Sequence, residues 1–560
     1  MIKVSWTSYL VFLLSHEAMA QTMPSAGGQM QQIPAVPTLP APFAPTSALP
    51  ELLFQTPLNN TRASNPQAST FVAMRLQVTG ASIYAESELV KASGFESGRA
   101  LNFAALADMA DKITQHYRRD GFIVARAYLP AQEIKDGLVT ITVLEGQYGQ
   151  VQVNNTSSLN PALPYDVLNG LYNGDVIASA PLEERLLLLS DVPGVQVRSS
   201  LVPGASVGLS DLIVEVKPGV RVSGSLDVDN AGNRYTGENR IGATLNLNNP
   251  TDRGDLITLR GFTSGAGLQY VRAAYQTPIG RGRIGAAYSD LSYALGREFK
   301  ALDAHGQARI ATLFGNYPVL RSGNTNVNVG LSLDSKLLQD RADAIPSVND
   351  KRVQVATASL YGDHKGASRS AGVSRYSLAW SLGNLQLQTP TAHAVDAKTA
   401  LSHGTYNKLA FALSRLQPTP INRMSLFASL SGQVASKNLD VSEKMALGGM
   451  YGVRAYPEGE AYADAGYLLT LEVRQQLPLP VTDQVHMAAF VDTGLVKLSQ
   501  SPWTSATNTR HLSGAGVGLY WTRSSEFSVR MFYARKLGDG VALSAPDRSG
   551  RFWVQAVTYF

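Results

Sequence analysis

The chain has 560 residues, of which 44% are apolar, 16% are charged and none is cysteine, and its formal net charge is only +5. The lack of cysteine excludes disulfides, thiol catalysis and cysteine metal sites. The 48 Lys and Arg residues are spread along the chain, which argues against a nucleic-acid-binding protein. Abundant glycine and tyrosine are typical of an all-β protein with many turns.

Residues 1–20 have the pattern of a secretory signal peptide. A lysine near the start is followed by a mostly apolar run from Val4 to Leu14 and by the small-x-small site Ala18-Met19-Ala20. The apolar run is too short to span a bilayer, and no later stretch has the ~18 consecutive apolar residues of a membrane helix. The sequence therefore predicts an exported protein with a mature chain starting at Gln21, which could enter a membrane only as a barrel.

Residues 21–69 are predicted to be a linker. They are rich in Pro, Ala, Gln and Ser, a composition typical of extended and poorly ordered chains. Residues 21–46 contain no convincing helix, and only Ser47 to Gln55 has the apolar spacing for a short amphipathic one. Folded structure is therefore expected from residue 70 onwards.

Residues 70–147 and 148–218 are predicted to form two copies of one β-α-α-β-β module. In the first copy we expect strands at Phe71 to Val78, Val124 to Leu129 and Leu138 to Leu144, and helices at Ser87 to Ala92 and Phe103 to Arg119. In the second copy we expect strands at Gln150 to Asn154, Val195 to Leu201 and Leu212 to Lys217, and helices at Tyr165 to Tyr172 and Pro181 to Leu189. The recurring element order indicates an internal repeat.

From residue 219 to residue 560 the sequence contains only short alternating segments separated by turns. In the clearest one, Leu226 and Val228 lie on one face, and Asp227 and Asp229 on the other. Sixteen such segments begin near residues 220, 239, 255, 268, 282, 306, 324, 351, 370, 403, 423, 466, 484, 513, 526 and 551. Each has room for the ~9–11 residues of a membrane-crossing strand and for a connection, so a sixteen-stranded antiparallel transmembrane β-barrel is predicted.

The connections between these segments alternate in length. Those after even-numbered segments are short, whereas those after odd-numbered segments include long ones, predicted at 335–350, 382–402, 436–465, 495–512 and 536–550. Outer-membrane barrels have short periplasmic turns and long outer loops. This asymmetry places the two modules in the periplasm, and the final segment, which ends at Phe560, is expected to close the barrel.

Two such modules followed by sixteen strands resemble the polypeptide-transport-associated (POTRA) modules and barrel of two-partner secretion transporters. This is the TpsB family of haemolysin-activation and filamentous-haemagglutinin exporters, and the resemblance covers the chain from about residue 70 to its end. The family carries Val-Arg-Gly-Tyr/Phe in the sixth outer loop and Phe-x-Asp-x-Gly on the thirteenth strand. Here the loop reads Gly452-Val453-Arg454-Ala455-Tyr456 and the strand reads Phe490-Val491-Asp492-Thr493-Gly494.

The resemblance implies that loop 436–465 folds back into the barrel lumen and that Arg454 pairs with Asp492. Alternation on the thirteenth segment independently places Asp492 on the lumen face, opposite an apolar face that includes Val491. Two features depart from the family. Ala455 replaces the motif glycine, which puts in doubt any backbone with φ > 0 there, and the N-terminal plug helix that members usually carry has no support in residues 21–46.

The function that the resemblance implies is export of one dedicated large β-helical exoprotein across the bacterial outer membrane without ATP. The exoprotein would be an adhesin, a haemolysin or a contact-dependent toxin. Outer-membrane lipid and, during biogenesis, the barrel-assembly machinery are the other expected partners, with no nucleic acid and no cofactor. Exposed sheet edges of the modules would capture the client by strand addition, and the candidate residues are Val195, Val197, Leu201, Val124 and Tyr128. The Arg454–Asp492 pair would lock the pore.

Three alternatives carry less weight. A barrel-assembly factor of the same superfamily usually has more periplasmic modules, and a passive porin leaves residues 70–218 unexplained. An enzyme is suggested only by Gly204-Ala205-Ser206-Val207-Gly208, but a nucleophile elbow needs a strand, a sharp turn and a helix, and here two predicted strands flank Ser206. The eight His residues show no metal-ligand spacing, and no Gly-rich phosphate loop is present. The protein is therefore predicted not to be an enzyme.

Overall fold

The computed structural model describes residues 23–33, 70–366, 371–480, 483–523 and 526–560, together with the backbone of residues 52–54. The predicted signal peptide and most of the predicted linker lie outside these residues. Within the linker the structure contains helix α1, Ala26–Gln31, and strand β1, Leu52–Phe54. Throughout the described part of the chain, no helix is both long and apolar enough to cross a membrane.

The first module folds around helix α3. Its elements are β2 Phe71–Ala73, β3 Arg75–Thr79, α2 Glu86–Ser93, β4 Arg99–Leu101, α3 Phe103–Arg119, β5 Arg126–Tyr128 and β6 Leu138–Leu144. Strands β3, β6 and β5 form one sheet in that order, so β5 lies at an edge. Helix α3 covers the sheet because Leu106, Ile113 and Tyr117 recur at helical spacing and are buried in the module core.

The second module repeats this arrangement. Its elements are β7 Gln147–Asn155, α4 Ala162–Leu168, α5 Ser179–Ser190, β8 Val195–Pro203 and β9 Leu209–Pro218. Its sheet has the order β1-β8-β9-β7, with β1 parallel to β8 and Leu52 to Phe54 opposite Ser199 to Leu201. The helix expected at Ser47 to Gln55 is therefore wrong for residues 52–54, because these three residues complete a sheet edge.

Within the described residues, sixteen antiparallel strands form a closed barrel, which confirms the predicted fold class. The strands are β10 Val222–Asp229, β11 Arg240–Asn248, β12 Leu256–Thr263, β13 Leu268–Ile279, β14 Gly282–Ala294, β15 Ala304–Arg321, β16 Thr325–Ala342, β17 Ser347–Lys365, β18 Val373–Leu387, β19 Gly404–Pro418, β20 Met424–Ala435, β23 Ala465–Gln476, β24 Asp483–Lys497, β25 Thr509–Arg523, β26 Phe527–Lys536 and β27 Gly550–Tyr559. Two short strands, β21 Met445–Ala446 and β22 Tyr462–Ala463, lie in the connection between β20 and β23.

The barrel closes between its first and last strands. β10 and β27 are antiparallel, with Ser225 opposite Tyr559 and Asp229 opposite Gln555. Alternation sorts the side chains as predicted: Leu226 is half-exposed on the outer face, whereas Asp227 is buried inside. The lumen-facing carboxylate is compensated by a neighbouring arginine, because Arg260 Nη1 lies 3.0 Å from Asp227 Oδ1.

One predicted long connection is wrong. In place of a loop at 335–350, β16 and β17 continue to Ala342 and Ser347, and only residues 343–346 link them. These strands have 18 and 19 residues, more than the ~9–11 needed to cross a bilayer, so the hairpin extends beyond the membrane. The other long connections are 388–403, which contains helix α6 Pro390–Asp396, and 436–464, 498–508 and 537–549.

Helix α1 lies inside the barrel, which corrects the expectation of no helix in residues 21–46. The Ala26 N–H donates to Asp340 Oδ1 on β16 at 2.7 Å, and Arg240 Nη1 on β11 donates to the Gln32 carbonyl at 2.9 Å. These two wall residues belong to well-separated strands, so the segment bridges the lumen. Its six residues include two glycines and have little intrinsic helix propensity, so burial against the wall stabilises the helix.

Candidate functional site

The site is built by loop 436–464, which joins β20 to β23 and turns into the lumen. Strands β21 and β22 pair antiparallel at its base, and a 3-10 turn, Val441–Glu443, precedes them. The tip of the loop is apolar: Leu447, Val453 and Tyr456 are at most 1% exposed and form a cluster with barrel-wall side chains. Burial of these side chains holds the loop inside the barrel.

Arg454 at the tip of the loop and Asp492 on β24 form a bidentate pair. Arg454 Nε lies 2.8 Å from Asp492 Oδ2, Nη2 lies 2.8 Å from Oδ1, and the Arg454 backbone N–H donates to Oδ2 at 3.1 Å. Thr470 Oγ1 donates to Oδ1 at 2.9 Å. Asp492 is fully buried and Arg454 is 4% exposed, so water competes little with these charge-assisted hydrogen bonds.

A second carboxylate, which belongs to neither sequence motif, also binds Arg454. Arg454 Nη1 lies 2.8 Å from Glu472 Oε1 on β23, and the other Glu472 oxygen accepts from Arg474 Nε at 2.7 Å. Tyr520 Oη donates to Glu472 at 3.0 Å. The buried cluster therefore contains two arginines and two carboxylates, so its charges balance. Alternation along β23 directs the Glu472 side chain into the barrel, and Glu472 is the register partner of Phe490 on β24.

Aromatic side chains of the wall enclose the Arg454 guanidinium. Its carbon lies 3.3 Å from the ring centroid of Phe490 and 4.8 Å from that of Phe532, within the range of cation–π attraction. Trp553 Nε1 on β27 donates to the Arg454 carbonyl at 2.7 Å. The tip of the loop therefore contacts the thirteenth barrel strand and the last one. Alternation could have placed Trp553 inside the barrel, but its contact with the loop has no local signal.

Glycines of the wall make room for the loop. A Cβ on Gly514 would lie 2.5 Å from the Cβ of Ala455, and a Cβ on Gly494 would lie 2.3 Å from Leu447 Cδ1. Ala455 does not have a positive φ. The departure from the family glycine therefore introduces no backbone strain, because the side chain of Ala455 occupies space that Gly514 leaves open.

The remaining motif residues hold the shape of the loop. The Val453 N–H donates to the Leu447 carbonyl at 2.8 Å, and a Cβ on Gly452 would lie 2.3 Å from that same carbonyl oxygen. Tyr456 Oη donates to the Gly540 carbonyl in the last outer loop at 3.0 Å. Gly452 is therefore required for close approach of two backbone segments, and Tyr456 links two loops.

The base of the loop has a separate set of charged anchors. Glu443 accepts from Lys336 at 2.6 Å and Lys408 at 2.8 Å, and Asp440 accepts from Lys351 at 2.8 Å. These three lysines belong to three wall strands, β16, β19 and β17. The loop is therefore attached to opposite regions of the wall, at its base by lysines and at its tip by Arg454.

Helix α1 packs directly on this loop. Gln31 Nε2 donates to the Val441 carbonyl at 2.5 Å, and Gln32 Nε2 donates to Tyr462 Oη at 2.6 Å. A Cβ on Gly27 would lie 2.8 Å from the Cβ of Ser442. The N-terminal segment and the loop thus fill the lumen together as one packed unit.

The five candidate edge residues have different surroundings. Val195 and Val197 lie on β8, beyond the three residues to which β1 is paired. The edge at Leu201 is occupied by Phe54 of β1, so the structure corrects the expectation of an open edge there. Val124 precedes β5 and packs against the core of the second module, so it lies at no open edge. Tyr128 lies on edge strand β5 and is 37% exposed.

Gly204 to Gly208 form the turn between β8 and β9. The Leu209 N–H donates to the Ser206 carbonyl at 3.0 Å, and strand β9 follows directly. A nucleophile elbow would continue into a helix. The Gly-x-Ser-x-Gly match is a hairpin turn.

Comparisons with known proteins place this architecture in a family. The family model described as haemolysin secretion/activation protein ShlB/FhaC/HecB matches residues 208–521. The chain belongs to this family. A model of the ShlB-type POTRA domain matches residues 71–146, the first module.

A curated relative and two solved structures are similar over most of the chain. The heme/hemopexin transporter protein HuxB of Haemophilus influenzae (strain 86-028NP) is 30% identical over 473 residues, covering 83% of this chain and 82% of HuxB. CdiB from Escherichia coli has a TM-score of 0.70 at 22% identity, covering 92% of this chain and 95% of that chain. BamA from Haemophilus ducreyi, lacking POTRA domains 1–3, has a TM-score of 0.54 at 14% identity, covering 88% of this chain and 100% of that chain.

These similarities confirm the predicted family, the outer-membrane location and the periplasmic position of the POTRA modules. They also confirm a protein transporter, because family membership and the similarity to HuxB agree. The similarity to BamA, the representative of the alternative assembly-factor class, is weaker in both TM-score and identity. The curated relatives are transporters and not enzymes.

Proposed function

We propose that this transporter exports one dedicated large β-helical exoprotein, an adhesin, a haemolysin or a contact-dependent toxin, and that loop 436–464 is its gate. The observation that carries the gate is the bidentate Arg454–Asp492 pair, which joins the loop tip to the barrel wall inside the lumen. A client in extended conformation needs the space that the loop and helix α1 fill. Opening therefore requires the loop to leave Asp492, which makes the pair a lock on a two-state element.

Loss of one member of the pair is costly because both members are buried. Removing one member of a buried ion pair typically costs about 3–5 kcal/mol, because the other charge is left without compensation. Here loss of Arg454 would leave both Asp492 and Glu472 with fewer partners. Because the periplasm lacks ATP, the proposed source of work is folding of the client outside the cell.

Client capture is proposed to use strand addition to the POTRA sheets. Edge strand β5, which carries Tyr128, and the part of β8 that carries Val195 and Val197 supply backbone hydrogen-bonding groups without requiring a fixed client sequence. Strand β1 already pairs with residues 199–201. A client that uses the whole length of β8 would have to displace β1.

The lock is tested by Arg454→Ala and Asp492→Ala, each followed by measurement of exoprotein secretion and of barrel abundance in the outer membrane. Both variants are expected to change secretion at normal barrel abundance, because a loop that has lost its bond to the wall no longer switches between a defined closed and a defined open position. The matched control is Arg260→Ala, because Arg260 and Asp227 form an equally buried pair that joins wall strands only. Wild-type secretion by both lock variants at normal abundance would refute the mechanism.

The export function has its own test. A strain that lacks this protein is expected to lose one large exoprotein from its surface or medium and to keep normal levels of other outer-membrane proteins. A general loss of outer-membrane proteins would instead indicate a barrel-assembly factor.

A further inference from the structure

A cavity of about 1770 Å³ lies between the second POTRA module and the periplasmic end of the barrel. On the module side it is lined by helices α4 and α5, and on the barrel side by the ends and turns of strands β11 to β23. Any polypeptide that passes from the modules into the lumen must cross this space, which we call the vestibule.

The vestibule wall is strongly cationic. Among the described residues that line it, eight are Arg or Lys and three are Asp. The cations come from both sides: Arg185 belongs to α5, Arg253 to the turn between β11 and β12, and Arg375 to β18. Positive charge therefore surrounds the passage.

Part of this charge holds the second module against the barrel. Arg321 Nε lies 2.8 Å from Asp191 Oδ2, Arg281 forms an ion pair with Glu184, and the Gly323 N–H donates to Glu183 at 2.7 Å. These contacts occupy carboxylates of the module, so other arginines of the vestibule form no salt bridge with them. Among the described residues, no salt bridge joins Arg185, Arg253 or Arg375 to a carboxylate.

The lumen above the vestibule differs from the vestibule in how its charges are paired. There most arginines and lysines pair with carboxylates, as in Asp229 with Arg240 at 2.7 Å and Asp464 with Lys444 at 2.9 Å. Positive charge without a carboxylate partner is thus concentrated at the entrance. Rings of Arg and Lys with low-dielectric walls concentrate anions and select them over cations.

We propose that the vestibule binds acidic segments of the exported polypeptide at the barrel entrance. This inference rests on the proposed export function and specifies the chemistry of the client. In an extended segment, side chains on one face recur every ~6.6 Å, so successive carboxylates can meet arginines that lie around the wall. A positive entrance raises the local concentration of such segments and orients them towards the lumen.

The wall also shows why the occupant is a polypeptide. Leu163, Val167 and Leu188 of the module line the same space as the arginines. A small inorganic anion makes no favourable contact with an apolar wall, whereas an unfolded polypeptide carries both acidic and apolar side chains. A membrane phospholipid is disfavoured by position, because the vestibule lies inside the ring of strands.

The test uses the purified full-length protein and a fluorescent peptide of about twenty residues in which glutamate and serine alternate. The anisotropy of this peptide reports binding, and a matched lysine–serine peptide serves as the probe of charge. We expect the acidic peptide to bind with an affinity that falls with salt, and the basic peptide not to bind. The double variant Arg253→Glu/Arg375→Glu is expected to weaken binding at least about tenfold.

Two control variants distinguish the effect of positive charge in the vestibule from the effects of net charge and of misfolding. Arg75→Glu/Arg118→Glu changes the net charge equally at exposed positions of the first module, and it is expected to bind as the wild type does. Arg253→Lys/Arg375→Lys keeps the charge and is expected to retain most binding. Equal weakening by the first-module variant, or displacement of the peptide by an equivalent concentration of inorganic phosphate or of anionic phospholipid, would overturn the proposal.

Secretion separates this inference from the proposed function. The Arg253→Glu/Arg375→Glu variant is expected to secrete less exoprotein at normal barrel abundance. If it secretes at wild-type level while the deletion strain does not, the vestibule proposal fails and the export function stands. If the deletion strain itself still secretes, the export function fails, whatever the peptide binds.

Discussion

At the residue scale, the surroundings of Arg454 explain how the lumen can hold the proposed lock. Two carboxylates, one arginine neighbour and two aromatic rings surround its guanidinium, and the loop backbone is bonded as well. A buried polar network of this kind stabilises one arrangement when every member is satisfied, and its partial loss is costly. Lysine could replace the charge of Arg454 but not the planar fork that contacts Asp492 and Glu472 together.

The contact between Ala455 and Gly514 gives a prediction at the same scale. Gly514→Ala places a second methyl group 2.5 Å from the Cβ of Ala455, and overpacking of this kind typically costs about 1–3 kcal/mol. The loop is therefore expected to dock less tightly, with faster protease cleavage within 436–464 in intact cells.

The reciprocal change is the control for this prediction. Ala455→Gly in the Gly514→Ala background moves the methyl group from the loop to the wall and is expected to restore protection in part, because the Arg535 carbonyl still lies 3.1 Å from the new Cβ. If the double variant is cleaved as fast as Gly514→Ala alone, the two positions do not share this space.

At the element scale, helix α1 and loop 436–464 act as one plug. The helix bonds to the loop through Gln31 and Gln32, and to the wall through Asp340 and Arg240. Each element therefore supplies part of the surface on which the other packs. Such mutual burial explains why a six-residue helix is stable here although isolated helices of that length are not.

Gly27→Leu is expected to expel the helix from the lumen. The Cβ alone would lie 2.8 Å from both the Cβ and the backbone nitrogen of Ser442, and the backbone cannot yield as a flexible side chain can. Planar-bilayer recordings should show a larger conductance than for the wild type. Met23→Leu, at a position that is 39% exposed, is the control and should leave the conductance unchanged. Equal conductance of Gly27→Leu and the wild type would place the helix outside the ion path.

At the scale of the whole molecule, the exporter and the assembly-factor functions make different predictions for the seam between β10 and β27. An exporter passes its client through the lumen and needs no opening of the wall, whereas an assembly factor delivers strands through an opened wall. The chain has no cysteine, so introduced thiols have no competitors. Ser225 and Tyr559 are register partners across the seam and are suitable for a cross-link.

Ser225→Cys/Tyr559→Cys is expected to form a disulfide under oxidation and still to secrete the exoprotein. The single variant Ser225→Cys controls for loss of the native side chain. Secretion that stops on oxidation of the double variant and returns with reductant would show that the seam must open, which favours the assembly-factor mechanism.

Side-chain alternation along the chain predicts the barrel wall and the motif that faces the lumen. Alternation is a local property of each strand, so the sixteen strands and the lumen position of Asp492 follow from side-chain order alone. The predicted strand starts lie within about four residues of the observed ones, the largest differences being at Ser347 and Thr509. The pairing of Arg454 with Asp492 came from the family resemblance.

The segments that fill the lumen and cover the edge of the second module depend on contacts between distant parts of the chain. Helix α1 comes from a Pro-rich segment without periodicity, and strand β1 comes from residues whose apolar spacing is that of a helix. Both form because other parts of the chain supply their partners. Glu472 and Trp553 meet Arg454 only after the barrel has closed. The vestibule likewise depends on docking of the second module, because its arginines are far apart in sequence and meet only around the closed ring of strands.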